Sequence, residues 1–218
     1  MRSISRTVTR RALLGGLAAT PLLLVPGVAH AARPRRDALE IISCDTWGAR
    51  PPSEPITVLN QRPTALIIHH TATANSTDYS REHAYALARA IQNHHMDTNG
   101  WIDTGQQLTI TRGGYVLEGR HESLNALRSG TKHVVGAHAS GYNTVAIGIE
   151  NEGTYTSVAP PAALWESLVT TCAYICATYG LSPSAIVGHR DVNATACPGD
   201  VLYSKLPQLR EEVAARIG

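Results

Sequence analysis

"TALIIHHT", residues 64–71, runs from Ala65 through Leu66, Ile67 and Ile68 without a polar break and ends on two adjacent histidines. A short run of β-favouring apolar residues between polar flanks predicts a strand buried inside a domain. Two histidines at the end of such a strand are unusual, because a buried imidazole needs a partner for its ring nitrogens.

Working outward, Asp78 is a possible N-cap, and Ala84, Leu87, Ala88 and Ile91 follow helical spacing toward Asn93, where "NGW" (99–101) ends the helix. "GQQLTITRGGYVLEGR" (105–120) carries two short alternating runs around Arg112-Gly113-Gly114, a hairpin signal. "VAIGIENEG" (145–153) predicts a second strand that runs into Glu150 and Glu152. Leu164, Leu168, Thr171, Ile175 and Tyr179 mark a helix that stops at Gly180. A short strand, "SAIVGH" (184–189), then opens a Gly/Pro-rich loop, and 201–217 closes the chain as a helix. Strands interleaved with helices, with no repeat and no linker, predict one mixed α/β domain over 44–218.

The first 31 residues stand apart. Arg2, Arg6, Arg10 and Arg11 precede an apolar stretch that ends at Ala29-His30-Ala31, which fits small-residue cleavage and predicts a signal peptide. The Arg10-Arg11 pair resembles a twin-arginine export signal. The apolar run is short, broken by two prolines and lacks a stop-transfer flank, so stable membrane insertion after cleavage is not expected. Residues 32–43 read as a flexible mature N-terminus, and the product as secreted, extracytoplasmic and monomeric. The leader also carries four of the 19 Lys and Arg and none of the 17 Asp and Glu, so 15 positive charges face 17 negative in the remainder, a net of −2. With "RPRR" (33–36) the only basic run left, nucleic acid is not an expected partner.

"GHRDVNATACPGD" (188–200) raises the chemical question. An exported chain usually pairs its cysteines, and this one has Cys44, Cys172, Cys176 and Cys197. A catalytic zinc site needs three N or S donors and one open position. Cys197, His189 and a histidine of "IIHH" would supply them if the two strands are neighbours. Taken singly, each has a plainer reading: half of a disulfide, a hydrogen-bonded turn, a satisfied core histidine. His83, His94, His95, His121 and His133 show no metal-like spacing and read as solvated. Cys172 and Cys176 lie one helical turn apart, poor geometry for a bridge, so pairing of either with Cys44 is expected.

"WGAR" (47–50), "LIIHHTAT" (66–73), "GWIDTG" (100–105), "GAHASGYN" (136–143), "IGIENEG" (147–153) and the 188–200 loop occur in the order found in type-2 N-acetylmuramoyl-L-alanine amidases and peptidoglycan recognition proteins, and the chain resembles that family over residues 44–200. The resemblance implies a central mixed β-sheet flanked by helices, with a zinc ion held by His69, His189 and Cys197. It implies hydrolysis of the amide between the lactyl group of N-acetylmuramic acid and L-alanine in bacterial peptidoglycan or muropeptides, with zinc polarising the carbonyl and acidifying water. Many members carry a catalytic tyrosine where this chain has Gln106; another branch uses a glutamate at the position of Glu150, which is therefore the expected general base, with Glu152 in reserve. Thr195 corresponds to the oxyanion donor, and His138 and Asn143 to residues lining the groove in contact with substrate. Asp191 reads as a loop-stabilising group. Because some members bind peptidoglycan without cutting it, a muropeptide-binding module is the alternative.

Overall fold

The computed structural model describes residues 39–218; the signal peptide expected over 1–31 and residues 32–38 of the expected mature N-terminus lie outside the described residues. The strands are β1 (Val58–Leu59), β2 (Ala65–His70), β3 (Leu108–Ile110), β4 (Val116–Glu118), β5 (His133–Val134), β6 (Ala146–Asn151) and β7 (Ile186–Gly188). The helices are α1 (Cys44–Trp47), α2 (Arg81–Asn93), α3 (Ser123–Ser129), α4 (Ala162–Tyr179), α5 (Asp200–Ser204) and α6 (Leu206–Ile217).

Five strands form one sheet in the order β4-β3-β6-β2-β7, and β1 pairs with β5 separately. β2 lies between β6 and β7, parallel to both. Within the five-stranded sheet the β3–β4 hairpin alone is antiparallel, and the separate β1–β5 pair is antiparallel too. The central place of β2 explains its unbroken apolar run, since a parallel strand covered on both faces has no reason to alternate. Leu66, Ile67 and Ile68 are each fully buried.

The two faces of the sheet are unlike. On one, Leu66, Ile68, Leu108, Ile110, Ile147, Ile149 and Ile186 pack against Leu164, Leu168, Cys172 and Ile175 of α4 and Leu206, Leu209 and Val213 of α6. This is the main core. On the other face the same registers line up Ile67 and His69 of β2 with Ala146, Gly148 and Glu150 of β6. Thr109 of β3 pairs with Glu150 and shares that face. Small and polar residues dominate there, and space is left for a site.

Several details depart from the sequence expectations. Ser80, not Asp78, caps α2, because the Asp78 carboxylate accepts from the Ser80 amide and sets the Ser80 hydroxyl to accept from His83. The expected closing helix is two, separated at Lys205, with Pro207 in the first turn of α6 where its missing N–H costs nothing. α3 was not anticipated. Within the expected flexible segment, Ile42 is buried, donating its amide to Val116 and accepting from Glu118. Residues 39–43 that the structure describes therefore dock along β4.

The expected disulfide is absent: all four cysteines are free thiols. Cys172 and Cys176 sit in the main core, whereas Cys44 packs with Trp47, Ala84, Ala88 and Leu117. Leu117 pairs with Thr109 and so faces the opposite side of the sheet from the main core. The sheet stands between the sulfurs, which need Cα atoms within about 7 Å to bridge.

Two buried carboxylates tie loops to this frame. Glu118 accepts from the amides of Cys44 and Leu124, at the starts of α1 and α3. Asp103, from "GWIDTG", accepts from Gln92, from the His121 amide and from His121 Nδ1 at 2.9 Å. Gln92 in turn bonds the amide and carbonyl of Arg50, so "WGAR" and "GWIDTG" meet through one side chain. Burial opposes charge on Asp103, yet its hydrogen bonds hold the carboxyl below its usual value. The hydrogen bond to Asp103 lifts His121 above the usual histidine value.

Leu168→Ala, emptying a fully buried position in the main core, is expected to cost about 2–5 kcal/mol in chemical denaturation. Val158→Ala, at an exposed site, should stay within about 0.5 kcal/mol. Because the folded-state pKa of His121 is raised, its contribution is full below about pH 6.5 and is lost as pH climbs through the folded value. Discounted for solvent exposure, His121→Ala should cost roughly 0.5–1 kcal/mol near pH 5.5 and progressively less at alkaline pH, read from unfolding midpoints across pH.

Candidate metal centre

The pairing of Ile68 with Gly188 puts the next residues, His69 and His189, side by side at the ends of adjacent parallel strands. Their rings lie 4.4 Å apart between centroids. Strand alternation sends His70 to the other side. There its Nδ1 accepts from the Tyr155 amide at 3.3 Å.

Cys197 arrives from the loop. Its Sγ accepts the His70 amide at 3.4 Å and lies 3.7 Å from His69 Nδ1. The loop is held by the residues around His189: Arg190 donates its amide and side chain to the Cys197 carbonyl, bonds the Ala196 carbonyl and pairs with Asp200 at 2.7 Å. Arg190 also stacks on Tyr203. Asp191 accepts from the Gly188 amide and the Tyr203 hydroxyl, which makes it a strut of the loop rather than a ligand. In "GHRD", then, His189 faces the site while Arg190 and Asp191 hold its frame.

One donor atom from each of His69, His189 and Cys197 lies within 4.8 Å of the others. Tetrahedral zinc, with Zn–S about 2.3 Å and Zn–N about 2.0–2.1 Å, separates an N and an S ligand by roughly 3.5 Å. The observed 3.7 Å from Sγ to Nδ1 fits that edge closely. Burial, then neighbouring imidazoles, push His69 well below the usual histidine value, and burial lowers His189. Both rings are therefore neutral with a lone pair available, as metal ligation requires. Burial pushes the Cys197 thiol up to about 12, with the Glu150 carboxyl adding to the rise. Nucleophilic attack and ligation both use the thiolate, and a divalent ion held by the two imidazoles would supply the charge that stabilises it.

Glu150 is cross-strand neighbour to His69 on the same face, and burial pushes its carboxyl up to about 8. Glu152, the expected reserve base, has both carboxylate oxygens engaged. It is buried at the strand end, with one carboxylate oxygen 2.7 Å from His83 Nε2 and the other accepting the Arg112 amide at 2.7 Å.

A family profile described as N-acetylmuramoyl-L-alanine amidase matches residues 59–200. The chain belongs to this amidase family. It is 34% identical over 164 residues to the human N-acetylmuramoyl-L-alanine amidase, covering 73% of this chain and 26% of that protein. It thus spans about a quarter of the mammalian amidases it matches. Peptidoglycan recognition protein 1 of Bos indicus is 33% identical over 175 residues, with 79% of this chain and 85% of that protein covered. Among solved structures, Drosophila PGRP-LB superposes with a TM-score of 0.67 at 27% identity, over 77% of this chain and 92% of that one. Peptidoglycan recognition protein LE in complex with tracheal cytotoxin does so with a TM-score of 0.66 at 27% identity, over 77% and 92%.

His138 and Asn143, the residues expected to contact substrate, are bonded within the protein. Nδ1 of His138 is 3.1 Å from His69 Nε2 and its Nε2 is 3.2 Å from the Ala146 carbonyl, so both nitrogens are engaged by the protein. The Asn143 carboxamide oxygen accepts the amides of His138 and Ala139. Thr195 is exposed, and its hydroxyl oxygen accepts the Cys197 amide at 3.2 Å. Gln106, at the tyrosine position of this amidase family, is fully buried with its Nε2 on the Thr109 hydroxyl. Of the five histidines expected to be solvated, His94 is exposed, but the other four are engaged by the protein. His83 and His121 hold carboxylates, His133 is buried against the Asn143 carbonyl, and His95 accepts the Gly105 amide. No sequence spacing signals these partners, all of which come from other elements.

Metal analysis after zinc loading should find about one equivalent in the intact amidase-family domain and none retained by His69→Ala or Cys197→Ser. His70→Ala should keep its equivalent, since that ring lies on the far side of the strand.

Proposed function

We propose that the protein is a zinc-dependent N-acetylmuramoyl-L-alanine amidase that hydrolyses the bond between the lactyl group and L-alanine in bacterial peptidoglycan or its soluble muropeptides. The observation that carries this reading is the convergence of His69, His189 and Cys197 beside the free carboxyl of Glu150 on one sheet face. The site fits zinc by its donor set, by the neutral state of both imidazoles and by the Sγ–Nδ1 separation.

When bound there, zinc supplies a Lewis acid that polarises the scissile carbonyl and acidifies water. Glu150 takes the proton from the attacking water and returns it to the leaving amine nitrogen, yielding carboxylate and free amine. A carboxyl poised at about 8 is suited to both transfers. Thr195, whose oxygen is occupied by the Cys197 amide, keeps its hydroxyl proton for the developing oxyanion, a contribution of up to ~3 kcal/mol. The leader over 1–31 is the basis for inferring export to the compartment where peptidoglycan lies.

A binding module without turnover is the second reading, favoured by one observation: Gln106 is buried against Thr109 and cannot titrate as a tyrosine would. The two readings separate in a digest of peptidoglycan by the purified mature protein, followed by mass spectrometry. The amidase should release stem peptides, stop with a chelator and resume with Zn²⁺. Glu150→Gln should hold its zinc while kcat falls about 10²–10⁴-fold. Retention of muropeptide without release of peptide, metal in place, would establish the binding module instead.

A further inference from the structure

His138 stands behind His69, and the pattern of hydrogen bonds around it sets which nitrogen His69 can offer. The Ala146 carbonyl is an acceptor only, so His138 Nε2, 3.2 Å away, must carry a proton and donate. With the donor of the imidazole spent on the Ala146 carbonyl, Nδ1 is the acceptor of the ring. His69 Nε2, 3.1 Å from that Nδ1, must therefore be the protonated nitrogen of its own ring. The remaining lone pair of His69 is on Nδ1, the atom 3.7 Å from Cys197 Sγ.

The surroundings of His138 make room for its ring. A Cβ on Gly148 would come within 2.5 Å of His138 Cγ, and one on Gly136 within 2.6 Å of its Cδ2. Two glycines from separate segments thus leave the slot that the ring fills. The backbone of the slot is pinned by Asn143, whose Oδ1 accepts the His138 and Ala139 amides at 2.8 and 2.9 Å. Asn143 also accepts the Gly136 amide on its carbonyl, closing the 136–143 loop on itself.

We propose that His138 is a positioning residue for the metal: by accepting from His69 Nε2–H and donating to the Ala146 carbonyl, it locks His69 in the tautomer and orientation that present Nδ1 to the ion. This rests on the reading of His69, His189 and Cys197 as a zinc site, and it assigns "GAHASGYN" to ligand support rather than to the groove wall. Outer partners of ligating histidines commonly alter metal affinity 10–100-fold when removed.

The test compares zinc affinity, measured by competition with a chromogenic chelator, in the wild-type protein, His138→Leu and His138→Asn. Leucine fills the slot without an acceptor, whereas asparagine can place Oδ1 where Nδ1 was. Leucine should weaken zinc binding 10–100-fold and asparagine should recover most of that loss. If packing alone matters, leucine will equal or exceed asparagine, and the proposal is overturned. Long-range ¹H–¹⁵N spectra of the imidazoles supply a readout that needs no metal. His69 should be the Nε2–H tautomer in the wild type and in His138→Asn, and mixed in His138→Leu; unchanged tautomer in the leucine variant also overturns it. Gly148→Ala, whose added Cβ meets the His138 ring first, should reproduce the leucine result. Should His69→Ala bind zinc as tightly as the wild type, the zinc site itself fails, an outcome distinct from failure of the His138 relay.

Discussion

The register between β2 and β7 is the constraint on which the chemistry depends. Leu66 opposite Ile186, Ile67 opposite Val187 and Ile68 opposite Gly188 leave His69 and His189 as the next pair, on one face. A slip of one residue would send His69 into the apolar core and bring His70 forward. The main core guards against that slip, because the same shift would turn Leu66 and Ile68 away from α4 and α6. Hydrophobic burial on one face therefore fixes where the two histidines stand on the other.

That division of labour extends across the sheet. The covered face carries Leu, Ile and Val side chains, whereas the site face carries Ala146, Gly148, Thr109 and Ala139 around its histidines. Bulk is withheld where rings must fit. The glycine at 148 is needed for the His138 ring, and that ring for the His69 hydrogen bond.

Four acids near the frame illustrate how environment sets role. Glu118, Asp103 and Glu152 are buried but bonded to backbone amides, with Asp103 and Glu152 also paired to histidines. These are anchors, and a proton taken by any of them would break several bonds at once. For Glu150, burial alone raises the pKa. Its carboxyl is the one whose proton can move without loosening the fold.

The local signals written in the chain were sufficient for the elements that bury apolar surface in a regular period: β2, β6, β7, most of α2 and all of α4. They also singled out His69, His189 and Cys197 as candidate ligands, since these lie in ordered motifs that resemble one amidase family, and the fold brings a donor atom of each within 4.8 Å of the others. Short or irregular pieces escaped, among them α3, the β1–β5 pair and the break at Lys205, since their stability comes from neighbours rather than from their own spacing. Only the folded arrangement decided that Cys44 and the α4 cysteines lie on opposite sides of the sheet, that Glu152 is held by His83 and Arg112, and that His138 faces His69. Each of those outcomes is a contact between residues tens of positions apart. Sequence period determines which face a side chain takes; what waits on that face is determined by strand order and packing.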